Sequence, residues 1–155
     1  MAQALLITTL FTIAGILATS FVGYIADTPA LMGRHILFAL PTIVIGLFSQ
    51  SMTMFFFIGT GKEIKDKARG AADENSVVAA TKRFKARVFP VAFYSMIVLM
   101  ITFIVGGGAH TGKMNPIVHH LLAIASIFLY ARAYWVEIGV MDENARLMER
   151  FLTEP

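Results

Sequence analysis

The chain has 155 residues, of which 57% are apolar and only 15% charged, and its mean hydropathy is +0.70. Soluble domains are nearer half apolar and a quarter charged, so this composition points to a bilayer protein and excludes disordered, collagen-like and disulfide-rich classes. There is no cysteine, which removes disulfides, iron–sulfur clusters, thiolate metal sites and a cysteine nucleophile, and the meaning of the net charge of +3 depends on where the charges lie.

The pattern predicts an all-α integral membrane four-helix bundle of two helical hairpins, forming a single domain over residues 1–155. Ala2–Ala26, Ile36–Gly61 and Val88–Ala109 contain no Asp, Glu, Lys or Arg. Each meets the roughly 20 residues needed to cross a ~30 Å hydrocarbon core as a helix. A fourth stretch, from about Ile117 to Gly139, is interrupted only by Arg132 and Glu137. The expected helices are therefore about 2–26, 33–69, 86–109 and 117–152. The first has no basic residue before its apolar run, and that run is long for a signal-peptide core, so it is expected to be a retained span. Pro41 and Pro90 are expected in or just inside the first turns of the second and third helices, where proline is best tolerated. Tyr24, Tyr134 and Trp135 suit interfacial anchors.

Eight basic residues, Lys62, Lys65, Lys67, Arg69, Lys82, Arg83, Lys85 and Arg87, lie between the second and third spans, whereas the opposite loops offer Arg34 and Lys113. By the positive-inside rule, residues 62–87 and both termini face the cytoplasm, and the expected location is a cytoplasmic (inner) membrane. The basic charge is thus a topology signal with some attraction to anionic lipid. It does not call for nucleic acid, since no finger or groove-reading motif accompanies it. The second helix is expected to continue through Lys62–Arg69, helped by a Glu63–Lys67 pair. The fourth continues through Met141–Leu152, where charged and apolar residues alternate. The link between the cytoplasmic halves is expected at Ala71–Ser76.

Small and polar residues recur at steps of three and four. One stripe is His35, Ala39, Thr42, Gly46, Ser49, Thr53 and Thr60. Another is His119, Ala123, Ser126, Tyr130, Ala133 and Glu137. Counting back from Asp27 gives Gly23, Ser20, Ile16, Ile13 and Thr9 in the first helix. Such steps hold side chains on one face of a left-handed bundle, and small residues there let backbones approach in lipid. These stripes are expected to form the bundle interior.

In this topology all four histidines share the non-cytoplasmic end. His35 opens the second helix, His110 closes the third, His119 and His120 open the fourth, and Asp27 closes the first. Three readings compete. The rings could be interfacial anchors with no cofactor. A b-type haem could be bound by His35 with His119 or His120, with His110 nearby, Gly106-Gly107-Gly108 leaving room for a flat ring, and Arg34 and Lys113 for its propionates. Or His35, His110, His119 and His120 with Asp27 could hold bare zinc, iron or copper.

Counting about 1.5 Å per residue, Gln50 lies roughly 22 Å below His35, Arg132 roughly 18 Å below His120, and Tyr94 a similar distance from His110. Gln50, Tyr94, Tyr130, Arg132 and Glu137 are candidates for a polar path that would carry protons or seat a quinone headgroup, against a plain alternative in which Arg132 snorkels to the cytoplasmic boundary. Gly59-Thr60-Gly61-Lys62 fails as a phosphate loop, because Phe56 and Glu63 occupy required positions. The methionine- and phenylalanine-rich block over 52–57 fits lipid or a neighbouring helix better than copper. The expected function is a small membrane subunit binding haem b or a metal ion within an electron-transfer or energy-conserving complex, in the bilayer with other membrane subunits or copies of itself. Two alternatives stand beside it: a cofactor-free protein docking partners through its cytoplasmic extensions, and an oligomeric proton or ion transporter. A stand-alone enzyme is disfavoured, because no nucleophile–base arrangement is present.

Overall fold

A computed structural model describes residues 1–152; the last three residues of the expected domain, 153–155, lie outside the described residues. Four helices follow one another: α1 (Ala2–Tyr24), α2 (Pro29–Lys67), α3 (Glu74–His110) and α4 (Pro116–Leu152). All four are long and apolar enough to cross a membrane. Each helix packs on its neighbours in chain order, α1 closes the ring against α4, and α2 and α4 meet across the diagonal. Large apolar side chains such as Phe11, Phe48, Phe55, Ile104 and Phe128 point outward, as a bundle solvated by lipid requires.

Local chemistry sets the helix ends. Thr28 accepts a hydrogen bond from the Leu31 amide, with Pro29 at the first helical position, so one of the orphan donors at the start of α2 is satisfied and the next position never had one. Gly70 and Gly112 adopt left-handed backbone angles, φ +80° and +70°, which glycine reaches without a Cβ clash and which turn the chain between helices. The α2–α3 link falls at 68–73, slightly before the expected break.

Two expectations on element boundaries change. The third helix starts at Glu74, not near 86, so it too projects beyond the apolar span. Its first turns carry an apolar face of their own: Val77, Thr81, Phe84 and Val88 recur at helical spacing and are buried. Ile64, Ala68 and Val77 form a core with Leu147, Met148 and Phe151, so the projecting part is a three-helix unit in place of two separate extensions. Arg87 and Arg83 pair with Glu143, and Arg150 pairs with Asp73 at 2.9 Å, across its surface. Because α2 and α3 begin earlier than expected, Pro41 and Pro90 lie well inside them. Each removes one backbone donor from its ladder.

The interior repeats itself. The buried face of α1 is Leu5, Thr9, Thr12, Ile16 and Thr19. In α3 the residues at the same steps are Val88, Ala92, Ser95, Leu99 and Thr102, all buried. A constant spacing, one residue longer, relates Gly46, Ser49, Thr53, Phe57 and Thr60 of α2 to Tyr130, Ala133, Glu137, Met141 and Asn144 of α4, again all buried. The two hairpins are thus equivalent by position, each placing a long helix across the diagonal from the other's. The stripes expected on α2 and α4 do line the interior. On α1 the most deeply buried face also includes Thr12 and Thr19, while the expected Ile13 and Ser20 flank it half-buried, Ile13 packing against Ile16 and its core partners.

Close packing at Gly46 shows how tight the seam is. A Cβ there would come within 2.8 Å of Leu99 Cδ2 and Thr12 Cγ2 and 2.9 Å of the Tyr130 hydroxyl. Gly59, thirteen positions on in the same helix, has nothing within 4 Å of its Cβ position. Gly46→Ala should therefore destabilise the bundle by about 1–3 kcal/mol through overpacking, whereas Gly59→Ala should stabilise it by about 0.5–1 kcal/mol through helix propensity. Thermal unfolding of both variants in detergent, followed by far-ultraviolet circular dichroism, checks the opposite signs.

Candidate functional site

A cavity of about 780 Å³ opens between all four helices at the histidine end, within the roughly 300–1,000 Å³ typical of ligand and cofactor sites. Ile16, Ile43, Leu99, Phe103 and Ile127 make its wall apolar, and His35, His110, His119 and His120 all line it.

His35 and His119 are set alike. His35 Nδ1 donates to the backbone carbonyl of Thr19 on α1 at 2.9 Å. His119 Nδ1 donates to the carbonyl of Thr102 on α3 at 3.1 Å. A carbonyl only accepts, so the proton of each neutral ring sits on Nδ1, and Nε2 keeps its lone pair. The two carbonyls occupy equivalent positions in the two hairpins. So do Gly23 and Gly106, over which the rings lie. A Cβ at Gly23 would come within 2.7 Å of the His35 ring, and one at Gly106 within 2.8 Å of the His119 ring. Glycine here is a steric requirement, because only a bare backbone lets the imidazole reach across to the neighbouring helix. The two rings face each other across the diagonal, with centroids 6.1 Å apart and planes at 82°.

The other expected ligands are less well placed. His120 lies 6.0 Å from His119 and is exposed, as is His110, so both sit at the cavity rim. Asp27, Arg34 and Lys113 are exposed and do not line the cavity. Asp27 is in the α1–α2 turn, Lys113 in the α3–α4 turn, and Arg34 on the outer side of α2. Among the described residues, no group of three or more His, Cys, Asp or Glu is arranged to hold a metal ion. The Gly106–Gly108 run is used in pieces: Gly106 underlies His119, Gly108 meets Met114, and Gly107 has nothing within 4 Å of its Cβ position while lining the cavity.

The deeper polar level also resolves into members and outsiders. Gln50, Tyr130 and Glu137 are fully buried. Tyr94 is 60% exposed and Arg132 is exposed, because each falls between two seam positions, Ala92 and Ser95 in α3, and Tyr130 and Ala133 in α4. Arg132 therefore does not join the buried cluster. Sequence reasoning did not single out Ser49 or Thr9 as members of this level. Thr9 Oγ1 bonds Ser49 Oγ at 2.8 Å, donates to Glu137 Oε2 at 3.1 Å, and accepts from Gln50 Nε2 at 3.3 Å. Between the two levels, Thr102 and Ser126 share a 2.9 Å hydrogen bond. Nor was the role of Thr19 and Thr102 legible, since it belongs to their backbone carbonyls and not to their side chains.

No protein-family model, no curated protein and no solved structure matches the chain.

The tautomer assignment is open to measurement. In the ligand-free protein near neutral pH, ¹⁵N spectra of labelled histidine should show His35 and His119 as the Nδ1–H form. Gly23→Ala and Gly106→Ala should each abolish that signature for the one ring they underlie, while leaving the other intact.

Proposed function

We propose that the chain is a small multi-pass subunit of a cytoplasmic membrane that binds haem b between His35 and His119 and passes single electrons within a larger electron-transfer or energy-conserving assembly. The observation that carries this reading is the matched pair of imidazoles, each pinned through Nδ1 to the neighbouring helix. A ligating histidine is commonly oriented in this way, by a hydrogen bond from its other ring nitrogen. The two ring centroids are 6.1 Å apart, and with each Nδ1 tied to a carbonyl both Nε2 atoms would be available to hold one metal.

Haem suits this donor set better than a bare ion. Two imidazoles alone fall short of the three or four protein ligands that zinc sites use. A porphyrin would bring four nitrogens of its own, and His35 and His119 would hold its iron. The apolar cavity wall suits the ring, whereas Arg34 and Lys113, exposed and away from the cavity lining, are not placed to pair with its carboxylates. When bound, such a group supplies reversible one-electron transfer. The chain's part is to hold the two imidazoles in one tautomer, exclude water with the Ile and Leu wall, and keep the ligands apart on two hairpins. The basic residues of 62–87 favour a cytoplasmic placement for the opposite end and for both termini.

Purification in mild detergent, with spectra of the oxidised and dithionite-reduced protein and iron analysis on the same sample, tests the reading. Expected are a Soret band, reduced α and β bands, and one iron per chain or per pair of chains. His35→Ala and His119→Ala should each lose the chromophore while the protein stays in the membrane. His120→Ala should keep it. Gly106→Ala should weaken retention by about 10–100-fold, the usual scale for disturbing a ligand's supporting contacts. A folded preparation with neither chromophore nor bound iron would overturn the haem reading and leave docking through the projecting three-helix unit as the function to pursue.

A further inference from the structure

The histidine site makes no use of the polar level deeper in the bundle, where the arrangement poses a charge problem. Glu137 is fully buried on the interior face of α4. Thr9 of α1 donates to its carboxyl, Gln50 of α2 and Ser49 join the cluster through the Thr9 hydroxyl, and Tyr130 lies two turns away on the same face. None of these carries a positive charge. On α3, Arg87 reaches this part of α4, its guanidinium 3.9 Å from the Cβ position of Gly139, but it is paired with Glu143. Arg132, on α4 itself, points outward.

Two oxygens in this cluster also lack partners. Oε1 of Glu137 and Oε1 of Gln50 are both buried without a hydrogen bond. Both are acceptors when the carboxyl is ionised, so neither can satisfy the other. A group that donates or carries positive charge satisfies both. A bare carboxylate in such surroundings is too costly to persist, and one unit of charge is what must be balanced, which a divalent ion would overshoot.

We propose that Glu137, with Gln50 and Thr9, forms a binding site for one exchangeable monovalent cation, a proton or a sodium ion, held by oxygen ligands in the bundle interior. Thr9 is the node that orients it. Its hydroxyl donates to Glu137 Oε2 and accepts from Gln50 Nε2, which leaves Oε1 of both residues for the cation. The equivalent position in the other hairpin is Thr53, so the bundle has one such site and not two.

The test is labelling of the purified protein with dicyclohexylcarbodiimide, which adds to protonated carboxyls in apolar surroundings, followed by peptide mass mapping. In sodium-free choline buffer an adduct is expected on Glu137 and should be lost in Glu137→Gln. If the proton is the sole occupant, raising the pH suppresses labelling and sodium chloride does no more than choline chloride. If sodium also binds, sodium chloride slows labelling several-fold and raises the unfolding temperature of the wild type but not of Glu137→Gln. Infrared difference spectra of the same pair supply a second readout, the C=O stretch of a protonated carboxyl. The proposal is overturned if folded wild-type protein gives no Glu137 adduct, no such band beyond that of Glu137→Gln, and no sodium-specific stabilisation. None of these readouts requires haem, so failure here leaves the histidine site standing, and loss of the haem reading leaves this site standing.

Discussion

A helix bundle bathed in lipid gains little from burying apolar side chains, since the lipid is equally apolar, and must instead be held by close backbone approach and by polar groups that find partners across helices. The four helices of this chain are long and apolar enough to meet that constraint. Its outward face is rich in Phe, Ile and Leu, and its interior gathers Gln50, Glu137 and many Thr and Ser side chains, with His35 and His119 half-buried beside them. Each interhelical hydrogen bond of this kind contributes about 0.6 kcal/mol on average. Thr9–Ser49 and Thr102–Ser126 therefore serve more as register marks than as the main source of stability. Glycine does the complementary work. At 23, 46 and 106 it brings one backbone near enough for a neighbour's hydroxyl or imidazole to settle against it.

The same constraint explains why the two polar levels differ in kind. At the open end the histidines have a cavity beside them and one free nitrogen each, which is a geometry awaiting a ligand of some size. Deeper in, the Glu137 level is closed and made of oxygens, and what is missing there is a single charge. Between them lies the Thr102–Ser126 pair, and Tyr130, whose buried hydroxyl has no partner, is on the side of the deeper level that faces it. Beyond both, Phe57, Phe84, Val88, Val140 and Met141 close the bundle with an apolar core.

Much of this was legible in the sequence, for identifiable reasons. Long charge-free runs specify spans because the bilayer tolerates few alternatives, and steps of three and four residues locate the interior of α2 and α4 because helical geometry is rigid. The early start of α3 was hidden because Glu74–Arg87 is rich in charge, and its apolar face, Val77, Thr81 and Phe84, emerges only when Ile64 and Leu147 are known to lie opposite. Depth alone does not separate Tyr94 and Arg132, which are exposed, from the buried residues of the same level. Distance along a helix axis gives the level of a residue, but a single position's rotation, about 100°, decides whether it faces in or out. The clustering of four histidines at one end could be counted. Which two face each other could not, because that depends on the lateral order of helices. The tie from each imidazole to a carbonyl on another helix leaves no trace in residue identity, although the glycines beneath the rings do.

The equivalence of the two hairpins has a consequence for how this protein tolerates change. At each pair of matched positions the chain has already tried two answers to nearly one steric question: Ile16 and Leu99, Thr12 and Ser95, Thr9 and Ala92, Gly46 and Tyr130. Where the answers agree, as at His35 and His119 or Gly23 and Gly106, the surroundings admit one solution. Where they diverge, the halves have specialised, and an exchange of residues between them separates what the shared scaffold demands from what each half has acquired for itself.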